Sequence, residues 1–512
     1  MRLQVFAHYF GLQSDAADAF NAAFRIPNFL QNLFGEGALS ASFIPVYASL
    51  VARGERRDAD RVAGAVAALL ALVVSVLVVA GVLAAPVLIG VIAPGFQGGK
   101  RDLTIVLVRI LFPGAGLLTL SAWCLGVLNS HRRFLLSYAA PVLWNAAMIA
   151  TLVRYGATAD LPRLAVLLAW GSVVGSLLQF VVQVPVVLRL APDLRFAFDT
   201  ASAHVRTIAR NFVPAFFSRG VVQVSAYIDA LIASFLPTGA VTGLANAQLL
   251  YTLPVSLFGM SVAAAELPLM AGEADEAGGE TGATRAGGAA PGPTSRQALR
   301  GRLDAGLRRI AFFVVPSAVA FLALGDVLVS ALLESGRFRR ADAEYVWAIL
   351  AGASVGLLAS TLGRLYASAY YALRDTRTPL RFAMVRVALT TVLGYLFAIP
   401  VPRALGIPLE WGAAGLTASA GVAGWVEFLL LRRTLNQRIG PTGIPRVLLV
   451  KLWGLAAAAA AVAFGLKLAL PPWHPLVVAA FVLGTYGVIY LGVAVVTGLT
   501  DVQALAKRLR RR

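Results

Sequence analysis

The chain has 512 residues, 59% hydrophobic and only 13% charged, and its mean hydropathy of +0.77 is far above that of a soluble domain. Its formal net charge of +19 comes from basic residues scattered through short polar connections rather than one stripe interleaved with aromatics, which argues against a nucleic-acid partner. The single Cys124 sits in an apolar run and the four histidines are scattered, so a disulfide, a thiolate metal site and a metal-dependent enzyme are all disfavoured, and no nucleophile and base constellation stands out.

In chain order, residues 1–11 (MRLQVFAHYFG) are apolar but too short to cross a bilayer, and they lack the charged start, apolar core and cleavage site of a signal peptide. They predict a truncated first helix. Full-length spans are predicted at 27–51, 62–92, 103–129, 134–153, 164–188, 208–236 and 243–270, then at 310–333, 346–371, 382–399, 412–431, 448–470 and 476–496. The chain is therefore expected to be an all-α polytopic membrane protein of about 14 transmembrane helices. Residues 272–306 (rich in Gly, Ala, Glu, Pro and Thr) read as a disordered cytoplasmic linker. Arginines concentrate in alternate connections, at Arg53, Arg56, Arg57 and Arg61, at Arg132 and Arg133, at Arg374, Arg377 and Arg381, and again in the basic tail 499–512. By the positive-inside rule both termini are cytoplasmic, with Arg337, Arg339 and Arg340 as the exception to the pattern.

The two halves echo each other. NLFGEGALSASFIPVYA (32–48) is similar to SLFGMSVAAAELPLMAG (256–272), and APGF (93–96) and SGRF (335–338) each precede a basic loop by roughly 40 residues. This implies a duplicated six-helix unit with two helices appended: an N-terminal lobe over 1–190, a C-terminal lobe over 207–271 and 307–432, and a final pair over 447–498. Internal repeats of this kind belong to alternating-access transporters, which bind substrate between repeats near the midplane.

The most informative stretch is 24–47, FRIPNFLQNLFGEGALSASFIPVY. Its Arg25, Pro27, Asn28, Glu36 and Pro45 are out of place in a helix that only has to cross lipid, and they fit one wall of an internal cavity. For the side chains of Arg25 and Glu36, a position at the two membrane surfaces is equally compatible. With the preceding Asp18-Ala19-Phe20, this stretch resembles the signature of the MurJ (MviN) family of lipid II flippases, in the multidrug/oligosaccharidyl-lipid/polysaccharide exporter superfamily. APGF, GVLNSHRRF (126–134), APVLWN (140–145), IASFL (232–236), SGRF and YYALRDTRTP (370–379) extend the resemblance in the family's order.

The resemblance implies a bacterial inner-membrane flippase whose partners are a lipid-linked peptidoglycan precursor and membrane lipids, with the cell-wall synthesis machinery as a further candidate. It implies no cofactor, but coupling to Na+, to H+ or to the membrane potential. A flippase makes no bond, so its site is a set of charges that hold a diphosphate head group, for which arginine is best suited. Arg2 matches an arginine of the family's first helix, although the acid that follows it there is Leu3 here; Asp18 matches the family's acid before Ala-Phe. Three positions that are often basic in the family are Gln31, Leu249 and Ser368 in this chain. The residues alone single out Arg219 and Arg364 as intramembrane arginines that need a cavity or an ionic partner. The substrate-binding set is therefore Arg2, Asp18, Arg25, Asn28, Arg219 and Arg364, with Asp18 and Asn28 shaping the outer gate or the cavity wall. Asp229 is either a coupling-ion site or the partner of a nearby arginine, and Glu266 and Glu427 are similarly open. The competing readings are an exporter of another polyprenyl-linked glycan, a drug/cation antiporter of the same superfamily, and a non-transporting membrane scaffold.

Overall fold

The structure is a computed structural model that describes residues 1–197, 202–276 and 293–499. Among the described residues every regular element is helical. The chain divides into two compact units, Met1–Thr242 with Ser335–Phe338, and Gly243–Glu334 with Arg339–Arg512.

The first unit begins with the half-length α1 (Arg2–Phe10), followed by α2 (Asp15–Leu30) and α3 (Ser40–Ala52), which are joined without a break by a π-helical stretch at Gln31–Leu39. It continues through α4 (Arg56–Leu83), α5 (Ala85–Ile92), α6 (Gly98–Ser130), α7 (Phe134–Tyr155), α8 (Leu161–Leu190) and α9 (Ala203–Ala233). The span expected over 62–92 is thus two helices, divided at Ala84 just before Pro86, whose missing donor suits a first turn. Two apolar cores hold the unit. In one, Phe6, Phe10, Phe20, Phe24 and Trp144 form a chain of rings from α1 through α2 to α7. In the other, Phe43, Tyr47 and Leu50 of α3 meet Trp123 and Cys124 of α6. With no water to drive helices together inside lipid, close packing relies on small residues. A Cβ at Gly171 would lie 2.2 Å from Thr151 Oγ1 and one at Gly175 2.9 Å from Trp144, so α7 and α8 touch through these glycines.

The second unit repeats the composite first seen in α2 and α3: α10 (Ala240–Pro254) runs through a π-helical stretch at Val255–Met260 into α11 (Ser261–Glu276). These two π-helical stretches fall on the two segments that echo each other in sequence. The ends of α6 and of α15 (Leu357–Ala372) also match, since each closes on an arginine, Arg132 and Arg374, at φ 59. Arg133 N–H then reaches back to the Leu128 carbonyl, and Asp375 N–H to that of Tyr370. Such left-handed closures usually take glycine, and a side chain there costs roughly 1–2 kcal/mol. Finding the same costly choice twice supports duplication.

The remaining helices of this unit are α12 (Pro293–Ala323), α13 (Gly325–Leu333), α14 (Arg340–Ser354), α16 (Arg377–Ala398), α17 (Pro400–Leu405), α18 (Gly412–Ile439), α19 (Arg446–Ala469) and α20 (Pro475–Val496). α14 and α15 form one span bent by 43°. At the bend Gly356 lies against α18, where a Cβ would stand 2.4 Å from the Cα of Gly421, and Trp425 Nε1 donates to the freed Val355 carbonyl at 2.8 Å. Pro316 leaves the Phe312 carbonyl of α12 without its helical donor, and Tyr490 of α20 supplies one at 2.7 Å. Tyr486 donates to the Pro316 carbonyl at 2.7 Å, so the last two helices are built into this unit.

Among the described residues, ten helices are long and apolar enough to cross a membrane, and the bent pair makes eleven. The α2 to α3 composite and α9 bring this to thirteen, and the half-length α1 makes up about the fourteen helices expected. Two expectations can be set beside the structure. Residues 272–276 and 293–306 of the expected linker are helical, the second because Leu299, Leu303 and Leu307 recur at four-residue spacing and are buried; the intervening part lies outside the described residues, as does the basic tail from residue 500. The contacts also group α9 with the first unit, whereas the repeat boundary drawn between 190 and 207 places it with the second lobe. Compactness and ancestry are different criteria, and a helix after the junction of two repeats can satisfy one without the other.

Candidate functional site

In the first unit, the sequence motifs converge on Asp18. Its carboxylate is 1% exposed and accepts from Gly239 N at 2.9 Å, Thr242 N at 2.9 Å, Thr242 Oγ1 at 2.7 Å and Lys100 Nζ at 2.8 Å. The two backbone donors are those an α-helix leaves unmatched at its start, so Asp18 of α2 caps the helix start at 239–242, which lies within the first unit. Lys100 also pairs with Asp15 at 3.2 Å and stands over the ring of Phe96 at 4.5 Å, which gives the last residue of APGF a role. Gly95 of the same motif donates to Ser234 Oγ of IASFL at 3.1 Å, and a Cβ there would lie 2.2 Å from the Ser234 carbonyl oxygen. SGRF joins at the end of α1, where Arg337 N donates to the His8 carbonyl at 2.8 Å. Sequence reasoning missed Lys100 and Thr242, because only a fold shows that a lysine in a short connection and a threonine at a helix start meet one carboxylate.

The other expected residues occupy three further places. Arg25 and Asp229 lie within electrostatic reach of each other, and Tyr227, two residues before Asp229, donates to the Arg25 carbonyl at 2.9 Å. That neighbourhood favours Asp229 as the partner of an arginine. Asn28 is half-buried one turn beyond Arg25 on α2. Arg2 has its guanidinium 5.0 Å from the Phe24 ring centre and 5.4 Å from that of Trp144, with Nη1 donating to Met148 Sδ at 3.8 Å. The aromatic faces supply the negative potential that an ion partner otherwise would. Arg219 lies on α9, and its side chain is outside the described residues.

In the second unit, Arg364 is exposed on α15, within electrostatic reach of Arg386, Tyr251 and Glu427. Arg386 of α16 is ion-paired with Glu427 of α18 at 3.1 Å, and Arg364 lies within electrostatic reach of both. Ser368 donates to the Arg364 carbonyl one turn back at 3.2 Å. Glu266 pairs with Arg309 at 3.3 Å, and so joins α11 to α12. Among the described residues no group of three His, Cys, Asp or Glu side chains could hold a metal ion.

A family model described as "Lipid II flippase MurJ" matches residues 6–486. The chain belongs to the MurJ family. It is 32% identical over 444 residues to "Lipid II flippase MurJ" of Burkholderia cenocepacia, covering 85% of this chain and 80% of that one. It is 31% identical over 462 residues to "Probable lipid II flippase MurJ" of Rhizobium meliloti, covering 88% and 80%. The fold is that of the solved "Lipid II flippase MurJ, inward closed conformation", with a TM-score of 0.73 at 21% identity over 96% of this chain and 95% of that one. It is also shared with an inward-facing MATE transporter of the MOP superfamily, with a TM-score of 0.65 at 16% identity over 85% and 94%. The family match makes this a multi-pass membrane protein of a flippase family.

Proposed function

We propose that the chain translocates lipid II, the undecaprenyl-diphosphate-linked peptidoglycan precursor, from the cytoplasmic to the outer face of the bacterial inner membrane. The observation that carries this reading is the family match over residues 6–486, supported by guanidinium groups at Arg2, Arg25 and Arg364 on helices of the membrane domain. In this account two lobes, the 1–190 lobe and the 207–271 with 307–432 lobe, alternate access to a cationic cavity. The arginines take the diphosphate, the Asp18 cap holds the outer gate, and the lipid tail stays in the bilayer. The basic connections argue for both termini in the cytoplasm. Arg25 beside Asp229 gives a charge pair whose separation by a cation, a proton or the membrane potential would reset the carrier.

A second reading, transport of another polyprenyl-linked glycan, is favoured by Leu249, Ser368 and Gln31 at three positions where the resemblance implies a basic residue. Reconstituted vesicles carrying defined lipid-linked precursors separate the two. Lipid II is expected to be the better substrate, and preference for a different glycan on the same carrier would select the second reading.

A further inference from the structure

Three charges of the second unit do not balance. Arg364, Arg386 and Glu427 lie on α15, α16 and α18, and the two arginines are eight and nine residues, or ~12–14 Å at 1.5 Å per residue, from the loop between Ala372 and Arg377. Arg386 Nη1 donates to Glu427 Oε2 at 3.1 Å, with side-chain exposures of 38% and 16%. Arg364 feels both charges and the hydroxyl of Tyr251, which Ser360 holds at 2.7 Å. Among the described residues no carboxylate lies within ion-pair distance of Arg364. One carboxylate therefore stands near two guanidinium groups and pairs with only one of them. On helices otherwise fit for lipid, an excess cation is costly unless water or an anion reaches it, and a purely structural bridge would need only one charge of each sign.

We propose that Arg364 and Arg386 form a diphosphate subsite for the transported lipid, with Glu427 as the resident anion that Arg386 leaves when the ligand arrives. The proposal rests on the reading of the chain as a polyprenyl-diphosphate transporter. Two planar guanidinium groups can offer one fork to each phosphate, which a monophosphate cannot use in full. With the subsite empty, Glu427 keeps Arg386 in place and neutralised. On release it competes with the departing diphosphate, so the subsite binds without trapping. No bond is made or broken.

The test is binding of lipid II and of undecaprenyl monophosphate to purified full-length protein, with turnover in vesicles and the thermal unfolding midpoint measured on the same samples. Wild type is expected to prefer the diphosphate lipid. Arg386→Gln should weaken that binding about ten-fold and the monophosphate far less, and Arg386→Lys should recover part of the loss. Glu427→Gln, which frees Arg386, should tighten diphosphate binding and slow turnover. That opposite sign is the decisive result, and it holds even if Arg386→Gln fails to fold. If Glu427→Gln weakens binding or leaves it unchanged, or if Arg386→Gln binds as wild type does, the pair is structural and the subsite is overturned. Wild-type protein that binds no polyprenyl diphosphate overturns the functional reading and the subsite together.

Discussion

Asp18 in the first unit and Glu427 in the second are both carboxylates on membrane helices, and their surroundings differ in kind. Asp18 is saturated by fixed donors, namely two backbone N–H groups at the start of α10, a threonine hydroxyl and Lys100. Glu427 has one ionic partner and a second cation near by that it does not satisfy. A saturated charge fixes helices to one another, and an undersupplied set of charges is completed by something that comes and goes. The first arrangement suits a gate and the second a binding site.

The largest effect should follow from emptying the saturated site. Asp18→Ala leaves two helix-start donors unmatched and Lys100 with only its exposed partner Asp15, and removing one side of such a buried pair costs about 3–5 kcal/mol. The unfolding midpoint should fall steeply and complementation of a flippase-depleted cell should be lost. Lys100→Met removes the charged hydrogen bond to Asp18 and the more exposed pairing with Asp15, and should cost less, about 1.5–3 kcal/mol for the buried bond, with strong coupling to Asp18→Ala in the double-mutant cycle. If the two substitutions add independently, Asp18 is not held by Lys100 and the contrast drawn here is lost.

Tyr490→Phe should come next. It leaves the Phe312 carbonyl without a donor in the second unit, a cost of about 1–3 kcal/mol read as a lower unfolding midpoint at unchanged substrate preference. An unchanged midpoint would mean that α20 is held to α12 by packing alone.

The smallest effect is a pH dependence at His131, in the loop after α6, where Nε2 meets the Tyr47 hydroxyl at 3.0 Å. Burial pushes the imidazole below its ordinary pKa of 6.5; Arg56 and Arg133 act in the same direction and Asp60 opposes them. The unfolded chain therefore binds the proton more readily. This contribution to stability is complete above pH 6.5 and declines as the pH falls through the depressed value. His131→Gln should flatten the unfolding midpoint between about pH 7.5 and 5.5, and an identical slope in the variant would show that other groups set it.

Much of this was legible in the sequence, because crossing a bilayer forces long apolar runs that no soluble core needs. The half-length α1, the two appended helices and the echo between 32–48 and 256–272 all follow from that pattern, and the π-helical stretches then fall on the echo. The bends were less visible, since the break at Gly356 depends on Gly421 of a distant helix. The helical ends of the 272–306 segment were hidden by composition, although Leu299, Leu303 and Leu307 already carried the spacing. Single charges could be found from sequence, but their partners could not. The sequence does not show that Glu427 pairs with Arg386, or that Lys100, at the start of α6, meets Asp18.

The most direct measurement is head-group translocation by the purified full-length chain in vesicles loaded with lipid II on one leaflet. The account predicts that the head group becomes accessible on the opposite face faster than in protein-free vesicles, and that Arg364→Gln slows this without unfolding the protein. Equal rates with and without protein, or an Arg364→Gln variant as fast as wild type, would contradict it.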